Sequence, residues 1–419
     1  MEFCVSRVSE GLVAPSGPTP SGLLELSVVD RLPVLRCNAR TLHVFKHGPG
    51  PETTAALLIR EALAKALIPY YPLAGRLHVS SDEELQIACT GDGIWVVDAS
   101  ADCTLDDLHY FDDAMSIPYE NLLPPPPPPQ THLHPPLVQM QVTQFQCNGF
   151  VIGLIFCHAI CDGLGAAQFL NAVGDMARGA ETPAVGPHWC RNFLPTATPS
   201  PSPSFPLAIP VPDYQLEPAI IDISMEEIEK LKQEFRRGRP GERCSTFEVV
   251  AAMLWRRRTE VIGLDEDTEV KLVFFANCRT LVEPALPEGF YGNCFFPVSV
   301  SASSGELMAK DVMEVVEVIK EGKRRLPEEF RKWGERGGGE AFAPPLEYRT
   351  LFISEWGRLG FMEVDYGWGR PVHVVPVQGS SIIPVGIVCS QPRPRTGVRL
   401  MTWCVSKPHL PPLLHHFQS

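Results

Sequence analysis

Proline constrains this chain more than any other feature. It occurs 42 times in 419 residues, six of them consecutive from Pro124 to Pro129, where about one residue in twenty is usual. A proline inside a helix removes a hydrogen bond and clashes with the preceding turn, so a long-helix bundle or coiled coil is excluded. Short elements and loops are expected to dominate. The apolar fraction of 44% and a mean hydropathy near zero are those of a globular protein. At this length, two or three domains with an interior able to exclude water from a site are expected. The Pro124 to Pro129 run reads as a stiff polyproline II surface insertion, because it can join neither sheet nor helix.

Acidic residues outnumber basic ones, 49 to 36, for a net charge of -13. Wrapping nucleic acid or lying on an anionic membrane needs a broad basic face, which this balance argues against. A small anionic ligand can still be held by a local patch. The first residues, MEFCVSRVSEGLV, lack a basic segment followed by an apolar run. The longest strongly apolar stretch, Phe150 to Cys157, is too short to cross a bilayer. A cytosolic, monomeric protein is expected. Its 13 cysteines are odd in number and scattered, so no disulfide framework is implied. The closing residues His416 to Ser419 match no prenylation or peroxisomal address.

Apolar residues at helical spacing predict a helix over Ala55 to Leu67 and another from about Ala166 to Ala177. Leu85 to Ala88 and Ile94 to Val97, with Gly91 and Gly93 between them, suggest a hairpin. Val138 to Val142 alternate as a half-buried strand, Asn148-Gly149 signals a turn, and Phe150 to Cys157 is the return strand ending at His158. Between Glu181 and Pro212 the composition shifts to Pro, Ser and Thr without periodicity. This divides the chain into an N-terminal domain 1–180, a linker 181–212 and a C-terminal domain 213–419. Beyond the linker, Ser224 with Glu227 and Ser245 with Glu248 predict capped helices reaching about Phe235 and Trp255. Strands are expected at Lys271 to Ala276 and Cys294 to Val300, then a helix from Met308 to Lys323 and a mobile stretch around Gly337 to Gly339. Val372 to Val377, Ile382 to Cys389 and Val398 to Val405 suggest a C-terminal sheet.

The segment Cys157-His158-Ala159-Ile160-Cys161-Asp162-Gly163 is the most informative chemically, and it has three readings. His158 can be a structural histidine at a strand end. Cys157, His158, Cys161 and Asp162 can be metal ligands, although no second pair stands at zinc-site spacing. Third, His158 can be a general base aimed by a rigid strand, with Asp162 and the glycines shaping its turn.

Here the sequence resembles the plant BAHD acyltransferases, whose mark is His-x-x-x-Asp-Gly after an apolar strand. His158, Asp162 and Gly163 match it. Asp365-Tyr366-Gly367-Trp368-Gly369 is similar to the family's Asp-Phe-Gly-Trp-Gly, with Tyr for Phe. Tyr71 to Arg76, Asn277-Cys278-Arg279 and Tyr291-Gly292-Asn293 stand where the family has counterparts. The resemblance spans nearly the whole chain. Within the family the chain most resembles the alcohol acyltransferase branch, which includes benzyl alcohol benzoyltransferases, taxane acyltransferases and grass p-coumaroyl-CoA monolignol transferases.

The resemblance implies an α/β fold of two chloramphenicol acetyltransferase-like domains with mixed sheets and a channel at their interface. It implies an enzyme transferring acyl groups other than aminoacyl, with acyl-CoA as co-substrate, an alcohol or amine acceptor, and no metal or permanently bound cofactor. The donor would be hydroxycinnamoyl or benzoyl, the acceptor an alcohol such as a monolignol, and His158 the base. Asp162, Gly163, Arg279, Asp365, Gly367, Trp368 and Gly369 would be structural, with Arg279 pairing Asp162. Ser354 and Trp356 match a Thr and a Trp that line the site in related hydroxycinnamoyltransferases, so they become candidates for the oxyanion or acceptor site.

There is no phosphate-binding glycine loop. CoA phosphates would therefore fall to Arg256 within Arg256-Arg257-Arg258, to Lys323-Arg324-Arg325, or to the helix start at Ser245-Thr246. Other readings stay open: acylation of an amine or polyamine, acetyl transfer, a binding protein on the same scaffold, or a hydrolase using Cys157 or Cys161. The resemblance also implies that a carboxylate-bearing acceptor such as shikimate fits less well, because related enzymes grip that group with an Arg upstream of the Ile353 segment and Ala341 to Pro345 offers none, although Arg349 stands nearby.

Overall fold

The computed structural model describes residues 3–81, 84–113, 115, 118–128, 134–194, 212, 214–336, 342, 345–377 and 383–418. In chain order the first elements are β1 (Val5–Val13), β2 (Leu23–Glu25), β3 (Asn38–Phe45), α1 (Ala55–Ala66), β4 (Arg76–Val79) and β5 (Leu85–Ala88). There follow β6 (Ile94–Ala101), β7 (Val138–Gln144), β8 (Phe150–Cys157), α2 (Gly163–Ala177), β9 (Leu216–Ser224), α3 (Met225–Gly238) and α4 (Thr246–Ile262). The remainder is β10 (Glu269–Asn277), β11 (Phe295–Ser303), α5 (Ser304–Ala309), α6 (Val312–Arg336), β12 (Thr350–Glu355), β13 (His373–Pro376), β14 (Val385–Ser390), β15 (Gly397–Ser406) and α7 (Leu410–Gln418).

The chain divides into two units, neither continuous in sequence. Unit 1 comprises Met1–Thr196, Val282–Cys294 and Arg358–Gln378; unit 2 comprises Ala197–Leu281, Phe295–Gly357 and Gly379–Ser419. A single cut between 1–180 and 213–419 therefore misplaces two segments. The reason lies in pairing: β13, expected in the C-terminal sheet, hydrogen-bonds antiparallel to β3. Residues 195–211 of the expected linker lie outside the described residues.

In unit 1 a mixed sheet runs β1-β6-β7-β8-β3-β13, with β6 and β7 parallel and the other pairs antiparallel. The expected hairpin between residues 85 and 97 does not form. Instead β5 lies between β2 and β4 in a separate sheet, while β6 joins β1 and β7. The turn at Asn148 (φ 63°) does return the chain from β7 to β8. β7 is more deeply buried than its alternation suggested, with Gln139, Gln141 and Thr143 all inside. The second face is covered by the segment around Leu122, whose carbonyl would stand 1.9 Å from a Cβ at Gly153. Gln141 donates to the Asn121 carbonyl at 2.8 Å and to Thr143 Oγ1 at 3.0 Å, so its burial costs no hydrogen bonds there. α1, capped by Thr54, buries Ile59, Leu63 and Ala66 and packs against α2.

In unit 2 the sheet runs β11-β10-β12-β14-β15-β9, parallel at β10–β12 and β12–β14. The capping box of Ser245 and Glu248 starts α4 as expected, but the helix continues past Trp255 to Gly263, whose left-handed backbone ends it. α6 departs furthest from the proline argument. It runs 25 residues with Pro327 inside, and its strongly amphipathic face buries Val315, Val316, Ile319, Leu326 and Phe330. That burial outweighs the local penalty of one proline. Residues 337–339 lie outside the described residues, and Pro124 to Pro128 run without regular secondary structure.

Candidate active site

His158 follows directly on β8, whose residues are buried except Ile155. Its main chain is held at both ends. The N–H donates to the Cys37 carbonyl at 2.9 Å, and the carbonyl accepts from Asn293 Nδ2 at 2.8 Å. The side chain is half-buried. Asp162 does not need to reach back to the imidazole to be useful. Its extended backbone (φ -84°, ψ -178°) makes it the N-cap of α2, with Oδ1 accepting from Gly165 N at 3.0 Å. Oδ2 accepts from Cys294 N at 3.3 Å. The cap explains why α2 begins at Gly163, a turn earlier than its apolar spacing suggested. Gly165 lets the helix start approach residue 291, where a Cβ would stand 1.9 Å from the Tyr291 carbonyl oxygen.

A buried polar cluster that the sequence reading missed surrounds this loop. Asp30, fully buried, accepts from Ser27 N (3.0 Å) and Ser27 Oγ (2.8 Å) on Oδ2, and from Asn293 N (3.2 Å) and Nδ2 (2.7 Å) on Oδ1. Arg191 Nε lies 3.0 Å from Asp30 Oδ2. The same guanidinium donates to the carbonyls of Ile160 (2.7 Å) and Trp189 (3.0 Å) and rests on the Trp189 ring, 4.1 Å from its centroid. Gly292 makes room for it, since a Cβ there would stand 1.8 Å from Arg191 Nη1. Only Asn293 was visible in the sequence, as part of a marker; a lone Asp in Val29-Asp30-Arg31 carries no local signal.

The second signature forms a self-contained loop in unit 1. Asp365 Oδ1 accepts from Gly367 N (2.8 Å) and Gly369 N (3.1 Å), and both glycines have positive φ, 104° and 100°. Its carbonyl accepts from Arg178, the C-cap residue of α2. The buried ring is that of Tyr366, packed edge-on to Phe45 at 5.3 Å; Trp368 is only half-buried against Phe150. Asp365, Gly367 and Gly369 thus share one hydrogen-bonded turn, and the ring enclosed beside it is that of Tyr366. Arg76 is likewise held by carbonyls, those of Gly75 (2.7 Å) and Gly93 (2.9 Å).

The remaining candidates belong to unit 2. At the end of β12, Trp356 Nε1 donates to Ser354 Oγ at 3.1 Å, so these two are brought together. Phe274 pairs with Ile353 across β10 and β12, which puts Phe275 and Ser354 at the next positions of adjacent strands. Phe275 is 43% exposed although β10 is an interior strand, and it meets Phe295 edge-on at 5.4 Å. Arg279 follows β10, with its N–H and Nη1 donating to Asn277 Oδ1 at 3.1 and 3.2 Å.

The cationic candidates already have partners. Ser245 N and Glu248 N are taken by the capping box, beside Thr246. Arg256 lies about three turns along α4, about 16 Å from Ser245, where Nε donates to the Lys310 carbonyl at 2.8 Å. Arg258 is buried on the carbonyls of Cys404 and Tyr348. Lys323 pairs with Glu248, Arg324 with Glu317 and Glu321, and Arg325 with Glu329. Arg325 also lines an open groove of about 530 Å³ beside α6, where Glu314, Glu317 and Glu321 counter Arg239 and Lys310.

Cys157 and Cys161 are buried free thiols. Burial pushes Cys157 up to about 11 and Cys161 well above the usual thiol value. Neither is set up as a nucleophile, which must be a thiolate. Among the described residues no group of three His, Cys, Asp or Glu side chains is arranged to hold a metal, and no helix is long and apolar enough to cross a membrane.

Residues 3–403 match the Transferase family. Acyl transferase 4 of Oryza sativa subsp. japonica is 43% identical over 98% of this chain and 98% of its own. Myricetin 3-O-glucosyl 1,2-rhamnoside 6'-O-caffeoyltransferase of Crocosmia x crocosmiiflora is 39% identical over 98% of each. 3'-N-Debenzoyl-2'-deoxytaxol N-benzoyltransferase of Taxus canadensis is 35% identical over 90% of this chain and 86% of its own. Among solved structures, vinorine synthase superposes with a TM-score of 0.74 at 21% identity, over 98% of this chain and 96% of that one. F. sporotrichioides TRI101, solved with coenzyme A and T-2, gives 0.72 at 14% identity, over 94% and 97%. These two establish the shared fold.

Proposed function

The chain belongs to the BAHD family of acyl-CoA-dependent acyltransferases, and we propose that it moves a hydroxycinnamoyl group such as p-coumaroyl, or a benzoyl group, from CoA to an alcohol such as a monolignol. His158 is the general base. The observation that carries this role is its setting: a half-buried imidazole on a loop whose main chain is hydrogen-bonded on both sides, between a buried strand and a capped helix. Such a base can be aimed without moving.

A thioester is already activated, so the protein's task is orientation, proton transfer and oxyanion stabilisation. Neutral His158 accepts the proton of the acceptor hydroxyl as its oxygen bonds to the thioester carbonyl carbon. The tetrahedral oxyanion collapses, the C–S bond breaks, and the proton passes from the imidazolium to the departing thiolate. General base catalysis of this kind contributes about 10² to 10⁴ in rate. Ser354, with Trp356, is the proposed oxyanion or acceptor contact. An aromatic acyl group is supported by the caffeoyl and benzoyl transferases among the relatives and by the exposed Phe275 beside Ser354. Asp162 and Arg279 are assigned structural roles; the CoA phosphates are assigned to Arg256 and the Ser245–Thr246 helix start, where a phosphate would have to compete with the Lys310 carbonyl and the capping box for the donors. The setting proposed is a monomer in the cytosol, consistent with thirteen free thiols.

N-acylation is the second reading, favoured by the N-benzoyltransferase relative and by a net charge of -13 that suits a cationic amine. A matrix of acyl-CoA donors against alcohols and amines, scored by free thiol and product mass, separates the two. Turnover with p-coumaroyl-CoA and an alcohol, abolished in folded His158→Ala, is the expected result. Full CoA release by that variant overturns the role of His158, and turnover with amines alone overturns O-acylation.

A further inference from the structure

We infer that Asn293, held by Asp30, is a positioning residue that fixes the main chain of His158 for proton transfer; the inference rests on His158 being the base. The argument starts from hydrogen counting. A side-chain amide has two N–H hydrogens on one nitrogen. Asn293 Nδ2 lies 2.7 Å from Asp30 Oδ1 and 2.8 Å from the His158 carbonyl, so one NH₂ group ties the base's own peptide to a buried carboxylate. The Asn293 main-chain N–H reaches the same Asp30 oxygen at 3.2 Å, which fixes the residue at a second point.

The other side of the carboxylate grips the next part of the loop. Asp30 Oδ2 is 3.0 Å from Arg191 Nε, and Arg191 Nη2 donates to the Ile160 carbonyl at 2.7 Å. A single carboxylate thus organises the donors to two carbonyls of the loop, those of residues 158 and 160. The Cys37 carbonyl takes the His158 N–H from the opposite direction. Rotation of the His158 peptide would leave the Asn293 amide without its acceptor or the Cys37 carbonyl without its donor, and an unpaired buried polar group is costly. Fold stability alone does not explain the arrangement, because α2 already has its cap in Asp162 and β8 its sheet partners. What the cluster adds is restraint on the residues between them. A displacement near 1 Å in such a group can cost about 100-fold in rate.

The test compares Asn293→Ala, Asn293→Ser and His158→Ala with the native enzyme, measuring ester formation and CoA release separately with p-coumaroyl-CoA and an accepted alcohol. The Ser variant guards against misfolding, since its one hydroxyl hydrogen can serve Asp30 or the His158 carbonyl but not both. Folded Asn293 variants are expected to lose about 10- to 100-fold in kcat for transfer. KM for the acyl-CoA should stay within about twofold, and the ratio of thioester hydrolysis to transfer should rise, because a misaimed base serves water as readily as the acceptor. A purely structural role would not move that ratio. Transfer within about threefold of native in either folded variant, or failure of both to fold, overturns the inference. Activity retained by His158→Ala instead overturns the reading beneath it, so the two failures are distinguishable.

Discussion

Trp356 donates its indole N–H to the hydroxyl oxygen of Ser354 at 3.1 Å. A hydroxyl carries one hydrogen and two lone pairs, so a serine that accepts from Trp356 retains its own hydrogen to donate. The bond also limits where that hydroxyl can sit. Ser354→Ala should lower kcat by about 10² to 10³, some 3 to 4 kcal/mol of barrier, while Ser354→Thr retains most activity. Trp356→Phe, which keeps the hydroxyl but frees it to rotate, should fall between them. Steady-state kinetics on the three variants would check this order, and an unchanged Ser354→Ala would remove Ser354 from the reaction.

Asp162 uses its two oxygens on two different main-chain N–H groups, those of Gly165 and Cys294. An aspartate orienting the base, as in a hydrolase triad, would behave differently from a helix cap. Replacing a triad Asp by Asn costs about 10⁴ in kcat, whereas Asn caps helices about as well as Asp. Asp162→Asn, whose one amide oxygen can keep the Gly165 cap but not the Cys294 bond, should lose some stability yet keep kcat within about tenfold of native, a loss far smaller than the triad figure. Asp162→Ala should lose about 1 to 2 kcal/mol of unfolding free energy. Denaturant titration beside turnover would decide, and a loss near 10⁴ in Asp162→Asn would return the residue to the chemistry.

The strands and helices nearest the base were readable because their signals are local. β8 is a continuous apolar run, Asn148-Gly149 is a turn dipeptide, and α1 keeps one apolar stripe. The excursions of residues 282–294 and 358–378 into unit 1 were not readable, because β13 pairs with β3 across more than three hundred residues of sequence. Nothing in four residues of strand names its partner. The misjudged hairpin at Gly91 and Gly93 has the same cause: the turn signal was real, but β5 and β6 belong to different sheets. Within the site, His158 and Asp162 stand on one loop and were found together. Asp30 and Arg191 act on that loop from distant segments, and a single buried charge has no periodicity to betray it. Arg256 looked available as one of three consecutive arginines, yet its Nε is committed to the Lys310 carbonyl.

Cys157 and Cys161 flank His158, and a hydrolase would need one of them as thiolate. Burial works against both, holding Cys157 near 11 and Cys161 well above the usual thiol value. At neutral pH each is a protonated, inaccessible thiol, whereas Cys4, Cys37 and Cys147 are exposed. Short alkylation of the native enzyme is expected to label Cys4 and Cys147 first, and Cys37 more slowly because partial burial raises its thiol pKa, while Cys157 and Cys161 stay unlabelled and transfer continues. Cys161→Ala should retain kcat within about threefold, at the cost of a little stability from the lost core volume. Peptide mapping of the alkylated protein checks the first expectation; early labelling of Cys157 or Cys161 with parallel loss of activity would restore the nucleophile.

His43 supplies a pH dependence that originates in the core of unit 1 rather than in the chemistry. It is 1% exposed, with Nε2 2.9 Å from Thr41 Oγ1 and Nδ1 without a hydrogen-bond partner among the described residues. Desolvation lowers its pKa from 6.5 to about 3. The folded state therefore keeps it neutral while the unfolded chain takes up a proton as pH falls through 6.5. Its contribution to stability is whole above the unfolded value and is lost progressively between 6.5 and about 3. At pH 5 the loss is about 2 kcal/mol, from some 1.5 pH units at 1.36 kcal/mol each. His43→Gln, which keeps a polar group near Thr41 but does not titrate, should unfold with a flatter dependence over this range. Comparing the two proteins by denaturant titration from pH 7.5 to 5 cancels the carboxylates common to both. Parallel curves would mean that His43 is protonated within the fold, with water or a counter-charge reaching it.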